Sequence, residues 1–452
     1  MGFFVFLLLI LFTAAAALAK PWIGVVGGYV VALLTPQAIW WWHFGSLRPA
    51  LYIAVPTLIG VVLALLRGDI GIRAIQNARV AWLLILWLFI ALSFWFGPYV
   101  SAGGPYRFTD PAWMFSVFNK ILLLCLIGCL CITDMKRLQI LCGAFVISAV
   151  YLSYWANMKY IDGQVIGRLA GPVDLNGVGT YSDENSFGML FVVTGPFLWF
   201  LGYLFRPGLL RWGTWLIIPF LWHAVFLTAS RAGLIALGTT LAVIGWRSKN
   251  KAMGLLLIPA FIVTYSWQAG DLMKERAATI TDRTEVSSAT RLEAWTAAAE
   301  MVADNPLIGV GLASFGPAFP HYSEKKPREA HNTALQIFAE SGVVAGAMYL
   351  LIIAGSIVGL ARNGSRLRKL DFSVREIKVL YHINEAILAS FMGLIVCSIF
   401  ASLQMYEVFY FLFVLVNATL FVSAKVIADT RSGEPEYSQE PRSSVLARRL
   451  RG

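Results

Sequence analysis

Apolar runs of about 20 residues recur along almost the whole chain. A helix needs about 20 apolar residues to cross the hydrocarbon core of a bilayer, and thirteen segments approach or reach that length. Only 13% of the 452 residues are charged and the mean hydropathy is +0.70, whereas a soluble protein has about 25% charged residues. The sequence therefore predicts an all-α fold, a polytopic membrane helical bundle.

The predicted membrane helices are 3–19, 22–41, 50–66, 80–97, 116–132, 138–157, 185–204, 213–229, 231–246, 252–268, 333–361, 381–402 and 405–427. The first pair leaves two alternatives. If both helices cross, the amino terminus is outside; if residues 1–41 form one incomplete crossing, about twelve transmembrane helices remain with both termini inside, which we favour. The segment 333–361 would be about 44 Å long as a helix, so we expect it to tilt or project.

Basic residues are concentrated in the short loops on one side of the predicted bundle. These five loops together hold 16 basic and four acidic residues: 67–79, 134–137, 206–211, 247–251 and 362–378. The segment 271–329, on the other side, holds seven basic and nine acidic residues. Because cytoplasmic loops of membrane proteins are rich in Lys and Arg, the net charge of +11 predicts an orientation and does not require a nucleic-acid partner.

This orientation divides the chain into four predicted regions: an N-terminal transmembrane bundle (1–268), a large helical outer loop (269–331), C-terminal transmembrane helices (332–428) and a cytoplasmic tail (429–452). The tail is polar and rich in turn residues, so we expect it to be disordered. The first apolar segment resembles a signal peptide but has no basic amino-terminal region, so we interpret it as a retained helix. All five cysteines lie in apolar segments and are interpreted as packing residues.

The longest polar stretch, residues 291–342, contains the best candidate for a catalytic group. His331 and Asn332 directly precede an apolar run, which is typical of a helix start. The positive end of a helix macrodipole disfavours protonation of an imidazole, so a neutral His331 would suit a proton acceptor. A lone histidine in this position could equally be a helix cap at the lipid interface.

Two arginines make the functional interpretation of this stretch stronger. Arg231 has apolar sequence on both sides and no acid within five residues; it could snorkel harmlessly, but unpaired ionisable groups near a membrane are functional candidates. Arg291 begins an amphipathic segment with Trp295 on its apolar side, and could instead pair with Glu293. Guanidinium groups match phosphate oxygens, so Arg231, Arg291 and His331 together would suit a diphosphate-linked lipid.

Further residues could complete or replace this site. Arg168 is a third candidate for diphosphate binding, and Asn185, Asn332 and Glu340 are candidates for support of the site. Asp183 and Glu184 could hold a metal, although adjacent acids before a helix are more often N-terminal caps. We therefore expect no metal. The sequence has no nucleotide-binding motif, so no ATP or other cofactor is expected either.

The polar stretch resembles the signature of bacterial O-antigen ligases and O-antigen polymerases. The resemblance is carried by Arg291, Trp295, N-P-L-I-G-V-G, Phe315, H-N-T-A-L-Q and E-S-G, together with T-A-S-R-A-G-L around Arg231. It covers roughly residues 160–360. The first two hundred residues also resemble ligases found near exosortase systems.

The resemblance implies a metal-independent glycosyltransferase of the bacterial inner membrane with a periplasmic active site. The donor would be a glycan on undecaprenyl diphosphate, and in ligases the acceptor is a hydroxyl of lipid A–core oligosaccharide, with inversion at the anomeric carbon. His331 would be the base or acceptor-orienting group, and Arg231 and Arg291 would hold the diphosphate. We expect these three residues to lie around one outer-facing cavity that opens sideways to lipid.

Three other functions remain possible from the sequence. An O-antigen polymerase or a protein O-oligosaccharyltransferase could use the same scaffold with a different acceptor. A transporter of lipid-linked glycans would also need basic groups facing a cavity. Transporters usually bind substrate near the membrane midplane and have internal repeats, and neither feature is visible in the sequence.

Overall fold

The computed structural model describes residues 2–44, 47–103, 109–173, 179–280 and 286–432, and this part of the chain contains helices and no strand. The first ten helices are α1 (Gly2–Ala19), α2 (Pro21–Leu34), α3 (Pro36–Ile39), α4 (Trp41–Phe44), α5 (Pro49–Leu66), α6 (Ala78–Phe96), α7 (Pro111–Cys131), α8 (Met135–Ile161), α9 (Glu184–Gly202) and α10 (Leu209–Leu216). The others are α11 (Ile218–Leu227), α12 (Arg231–Arg247), α13 (Lys251–Leu255), α14 (Leu257–Gln268), α15 (Asp271–Ala278), α16 (Val286–Asp304), α17 (Phe315–Ala318), α18 (Thr333–Leu367), α19 (Arg375–Ser398) and α20 (Glu407–Ser432). The predicted all-α class is confirmed.

Ten helical segments within the described residues are long and apolar enough to cross a membrane. A helix pair from α13 to α15, bent by 120°, raises the number to eleven if it counts as one crossing. Each of the thirteen predicted apolar segments contains helix, but the segment 22–41 is broken at Thr35, and 213–229 and 252–268 are each divided between two helices. The difference from about twelve crossings arises at the shortest helices, since the apolar part of α1 has 16 residues and α12 has 17.

The two amino-terminal helices, α1 and α2, lie side by side and antiparallel. Phe6 near the start of α1 contacts Trp40, which follows α3, with ring centroids 5.5 Å apart. At the other end, a side chain at Gly24 would meet Ala17. Of these two helices, only the segment Pro21–Ile39 is long and apolar enough to count as a crossing, so one or two passes of residues 1–41 both stay predictions.

Helix α18 is kinked, and the segment N-P-L-I-G-V-G docks against the kink. Gly342 has φ +83° and ψ 175° inside the helix. The freed backbone groups bond the docked segment: the N–H of Val310 donates to the carbonyl of Ala339 at 2.8 Å, and the N–H of Val343 donates to that of Pro306 at 2.8 Å. The expected single long helix over 333–361 is therefore wrong, because the backbone turns at Gly342.

The C-terminal helices pack among the earlier ones. Helix α19 lies against α9 and α12, and α18 lies against α6. The predicted C-terminal helices therefore pack directly against helices of the predicted N-terminal bundle. The last helix, α20, continues to Ser432, beyond the predicted start of the tail at residue 429. The remainder of the predicted disordered tail lies outside the described residues. All five cysteines are buried and free, consistent with packing residues.

Candidate active site

A cavity of about 730 Å³ adjoins the ends of several helices and the segment that leads into α18. Its wall combines the turn between α2 and α3, the first turns of α7 and α9, and the loop from α19 to α20. The lining residues that bear charged or hydrogen-bonding side chains include Thr35, Gln37, Asp183, Glu184, Asn185, Glu329, His331, Ser402, Gln404 and Glu407. The cavity volume lies within the range of about 300–1,000 Å³ that is usual for ligand sites.

His331 lines this cavity directly before the start of α18. The side chain of Asn332 caps the helix by accepting the N–H of Leu335 at 3.1 Å, so the predicted helix start is confirmed. Burial lowers the pKa of His331, and the nearby charges of Arg291 and Arg328 lower it further, while Asp183 acts in the opposite direction. An imidazole that stays neutral and faces the cavity can accept a proton from a bound hydroxyl.

The peptide before His331 is held from two sides. The indole N–H of Trp295 on α16 donates to the carbonyl of Ala330 at 3.0 Å, and the N–H of Ala330 donates to Oε1 of Gln336 at 2.9 Å. Gln336 in turn donates to Oε1 of Glu340 at 2.7 Å. Gln336 thus connects Glu340 to the residue before His331, and Glu340 is not among the cavity-lining residues. The His331 backbone itself has φ +46°, which is uncommon for a residue other than glycine.

Arg291 on α16 lies close enough to His331 for its charge to lower the pKa of the imidazole. The alternative of an intrahelical pair with Glu293 is not what the structure contains, because Glu293 pairs with Lys325, whose Nζ lies 2.9 Å from Oε2. Arg328 is a second cation beside His331 that we did not single out from the sequence. Arg328 could have been predicted to lie near His331 because it precedes the histidine by only three residues, in K-K-P-R-E-A-H.

Arg231 occupies the first position of α12, directly after the helix cap Ser230. Its Nη1 donates to Oγ1 of Thr279 at 3.2 Å. Arg276 on α15 bonds the same turn, with Nε donating to the carbonyl of Ala229 at 2.8 Å. The bent segment after α14 thus brings a second arginine, also missed in the sequence, next to Arg231. Because Ala229 has φ +47°, this turn is a strained one.

Asn185 connects the Arg231 turn to the cavity. Its Oδ1 accepts the hydroxyl of Ser230 at 2.7 Å, and its Nδ2 donates to Asp183 at 3.2 Å. Arg168 is engaged in the same cluster: its Nη1 lies 3.1 Å from Oε2 of Glu184, and its Nε donates to the carbonyl of Thr228 at 3.1 Å. These contacts brace the start of α9 against the start of α12, and they leave Arg168 bonded to protein.

Asp183 is the N-terminal cap of α9. Its Oδ1 accepts the backbone N–H groups of Asn185 and Ser186, both at 3.0 Å. Glu184 is occupied by Arg168. Among the described residues, no group of three or more His, Cys, Asp or Glu side chains could hold a metal ion. Asp183 therefore has the capping role expected for an acid before a helix, and the absence of a metal stays a prediction.

The cavity wall is acidic, and the arginines lie outside it. Of the residues predicted to bind or support the substrate, His331 and Asn185 line the cavity in the described structure; Arg231, Arg291, Arg168, Asn332 and Glu340 do not. The expectation that Arg231 and Arg291 border the same cavity as His331 thus needs correction. The described lining contains four carboxyl groups and no Lys or Arg: Asp183, Glu184, Glu329 and Glu407. Arg291 and Arg328 are nevertheless close enough to His331 for their positive charges to lower its pKa.

Glu329 is a further cavity residue that the sequence reasoning missed. Burial raises the pKa of its carboxyl group, the hydroxyl of Ser402 opposes that rise, and the carboxylate of Asp183 adds to it. Its side chain lines the cavity and is exposed. The sequence could have indicated Glu329, because it is an acid two residues before His331 in an otherwise basic segment. A carboxyl group there could orient a hydroxyl near the imidazole.

A family model described as O-antigen ligase matches residues 215–350. These residues are therefore similar to those of the O-antigen ligase superfamily. Members of this superfamily are glycosyltransferase-like membrane enzymes, which agrees with the helical bundle. The matched part includes Arg231, Arg291, His331 and Glu340, whereas Arg168 and Asn185 precede it. No curated protein matches the chain.

Proposed function

We propose that this protein is an O-antigen ligase of the bacterial inner membrane. It would transfer a polysaccharide from undecaprenyl diphosphate to a hydroxyl of lipid A–core oligosaccharide on the periplasmic side, without a metal. The observation that carries this proposal is the environment of His331, an imidazole with a lowered pKa that faces a large cavity and has arginines near it. The distribution of basic loops supports the periplasmic placement.

The proposed reaction is a direct displacement at the anomeric carbon. His331 accepts the proton of the acceptor hydroxyl while the oxygen attacks the anomeric carbon of the donor. The bond from that carbon to the diphosphate oxygen breaks, and undecaprenyl diphosphate leaves with the electron pair. One displacement inverts the anomeric configuration. Arg291, with Arg328 and the Arg231–Arg276 pair as further cations, would stabilise the charge on the departing diphosphate.

The location of positive charge favours transfer over transport. The cations lie beside His331 and at the Arg231 turn, where a diphosphate would meet the proton acceptor. A pathway for a lipid-linked diphosphate would instead be expected to carry cations along the cavity, and the described cavity lining has none.

The test is transfer by purified protein from an undecaprenyl-diphosphate glycan to lipid A–core oligosaccharide in the presence of a chelator. A ligase adds the glycan to lipid A–core. Lengthening of the donor glycan without an added acceptor would identify an O-antigen polymerase, and transfer only to a protein hydroxyl would identify a protein O-oligosaccharyltransferase. Movement of intact donor across vesicle membranes without transfer to any acceptor would contradict the proposal.

A further inference from the structure

The part of the cavity wall formed by Thr35, Gln37, Gln404 and Glu407 has polar atoms that the protein does not use. Thr35 Oγ1, Gln37 Oε1, Gln404 Oε1 and Glu407 Oε2 are enclosed and have no hydrogen-bond partner within the described residues. All four residues line the cavity. Thr35 is 3% exposed and Gln404 is 7% exposed. Enclosed polar groups almost always have a partner, so four residues of one cavity wall that each hold an unpaired oxygen indicate a place for a ligand.

The backbone at this wall is also strained. Thr35, which separates α2 from α3, has φ +45°, and this conformation is a genuine outlier for a β-branched residue. His331 on the same cavity has φ +46°. Strained residues concentrate at sites where the surrounding structure fixes a functional geometry. The amino-terminal helices therefore contribute to the cavity wall at the break at Thr35. This contribution lies outside the matched family region, residues 215–350.

The chemistry of this wall selects a ligand rich in neutral donors. Each unpaired atom is an oxygen that can accept a hydrogen bond. An anionic phosphate offers further acceptors, and the described lining has no Lys or Arg to pair with it. Sugar hydroxyls donate without carrying charge. The side chains of Trp113, Met114 and Val117 lie on the same cavity and can contact the C–H face of a sugar ring.

We propose that Thr35, Gln37, Gln404 and Glu407 form a subsite for the hydroxyl groups of the acceptor sugar. This inference rests on the proposed transferase function. The diphosphate of the donor belongs beside Arg291 and Arg328, outside this wall, so the sugar that fills the acidic cavity is the acceptor. From there one of its hydroxyls reaches His331. The amino-terminal helices therefore contribute to the choice of acceptor.

The test is the double variant Thr35→Val, Gln404→Met, which removes two unpaired oxygens and keeps side-chain size. We expect the acceptor KM to rise about tenfold, since each lost hydrogen bond weakens binding several-fold, with the donor KM and kcat within about twofold of wild type. The thermal unfolding midpoint should not fall, because replacing an unpaired buried polar group by an apolar one removes no internal contact. A structural role would lower that midpoint.

The matched control is Thr194→Val, whose hydroxyl bonds the carbonyl of Leu190 at 2.7 Å inside α9; its acceptor KM should stay at the wild-type value. An increase in donor KM with unchanged acceptor KM would overturn the proposal in favour of a donor subsite. If wild type transfers nothing, equilibrium binding of lipid A–core to wild type and double variant separates the two claims. In that case the proposed reaction is contradicted, but weaker binding of lipid A–core by the variant would still support the subsite. Equal binding by the two proteins would overturn the subsite.

Discussion

The backbone N–H of Ala330 donates to the side-chain oxygen of Gln336 at 2.9 Å, and this bond fixes the peptide that leads into His331. The carbonyl of the same residue, in the next peptide group, accepts the indole N–H of Trp295 at 3.0 Å. A histidine held on both sides in a strained backbone conformation is positioned before substrate arrives. Pre-positioning of this kind reduces the entropic part of a reaction barrier.

We expect Trp295→Phe, which keeps the ring but removes the N–H donor, to lower kcat by about 10- to 100-fold through misplacement of His331. The donor and acceptor KM values should change little. Trp87→Phe is the control, because it also removes an indole hydrogen bond, at 2.7 Å to Asn119, away from the cavity. Equal losses of kcat in the two variants would contradict a positioning role for Trp295.

The pH dependence of transfer should follow the charges around His331. A histidine with a pKa below 6.5 loses activity only when the pH falls through that lowered pKa, so kcat/KM should have an acid limb below pH 6.5. Arg291 lowers this pKa and Asp183 raises it. Arg291→Gln should therefore move the acid limb to higher pH, and Asp183→Asn, which can still cap α9, should move it to lower pH.

The comparison that isolates this effect is Lys326→Gln, which changes the net charge equally on an exposed neighbouring residue. Its acid limb should coincide with that of wild type. Shifts of the same sign in Arg291→Gln and Asp183→Asn would exclude His331 as the titrating group. A separate loss of rate at every pH in Arg291→Gln, of about 100-fold, is expected if Arg291 also stabilises the leaving diphosphate.

The kink in α18 depends on a backbone conformation that only glycine adopts readily. Gly342→Ala should destabilise the protein by about 1–3 kcal/mol from backbone strain alone, and the added Cβ would also meet the carbonyl oxygen of Leu307 at 2.3 Å. The thermal unfolding midpoint in detergent measures this. Gly143→Ala, in a helix with open space around its Cβ position, should be neutral or stabilising. A wild-type midpoint for Gly342→Ala would show that the kink is dispensable.

A buried ion pair between Arg247 and Glu385 lies at the end of α12 opposite the Arg231 turn. We expect it to contribute to the free energy of unfolding and not to the transfer reaction. Arg247 Nη2 donates to Oε1 of Glu385 at 2.8 Å, and the Glu385 side chain is fully buried. Glu385→Leu leaves Arg247 without this partner and should cost about 3–5 kcal/mol. The double variant Arg247→Met, Glu385→Leu should regain most of that loss. A double variant no more stable than Glu385→Leu would contradict this explanation.

The sequence predicted the helical segments and the start of α18 well, because apolar periodicity and Asn332 are local signals. It did not predict the kink at Gly342, since the bonds that stabilise it come from residues 306–310 some 30 positions earlier. Nor did it predict the part played by Thr35 and Gln404 in the cavity, because residues this far apart meet only in the folded bundle. The ion pair of Arg168 with Glu184, at 3.1 Å, also joins residues 16 positions apart and was not predicted.

The most direct test of the account is the transfer rate of His331→Asn against His321→Asn, both measured with a chelator present. Asparagine tolerates the φ of +46° at position 331, so the fold should persist, and loss of the proton acceptor should lower kcat by about 100- to 10,000-fold. His321 is an exposed histidine of the same outer segment that contacts Tyr99, and its variant should retain wild-type activity. Full activity in His331→Asn, or loss of wild-type activity with the chelator, would contradict a mechanism based on His331 without a metal.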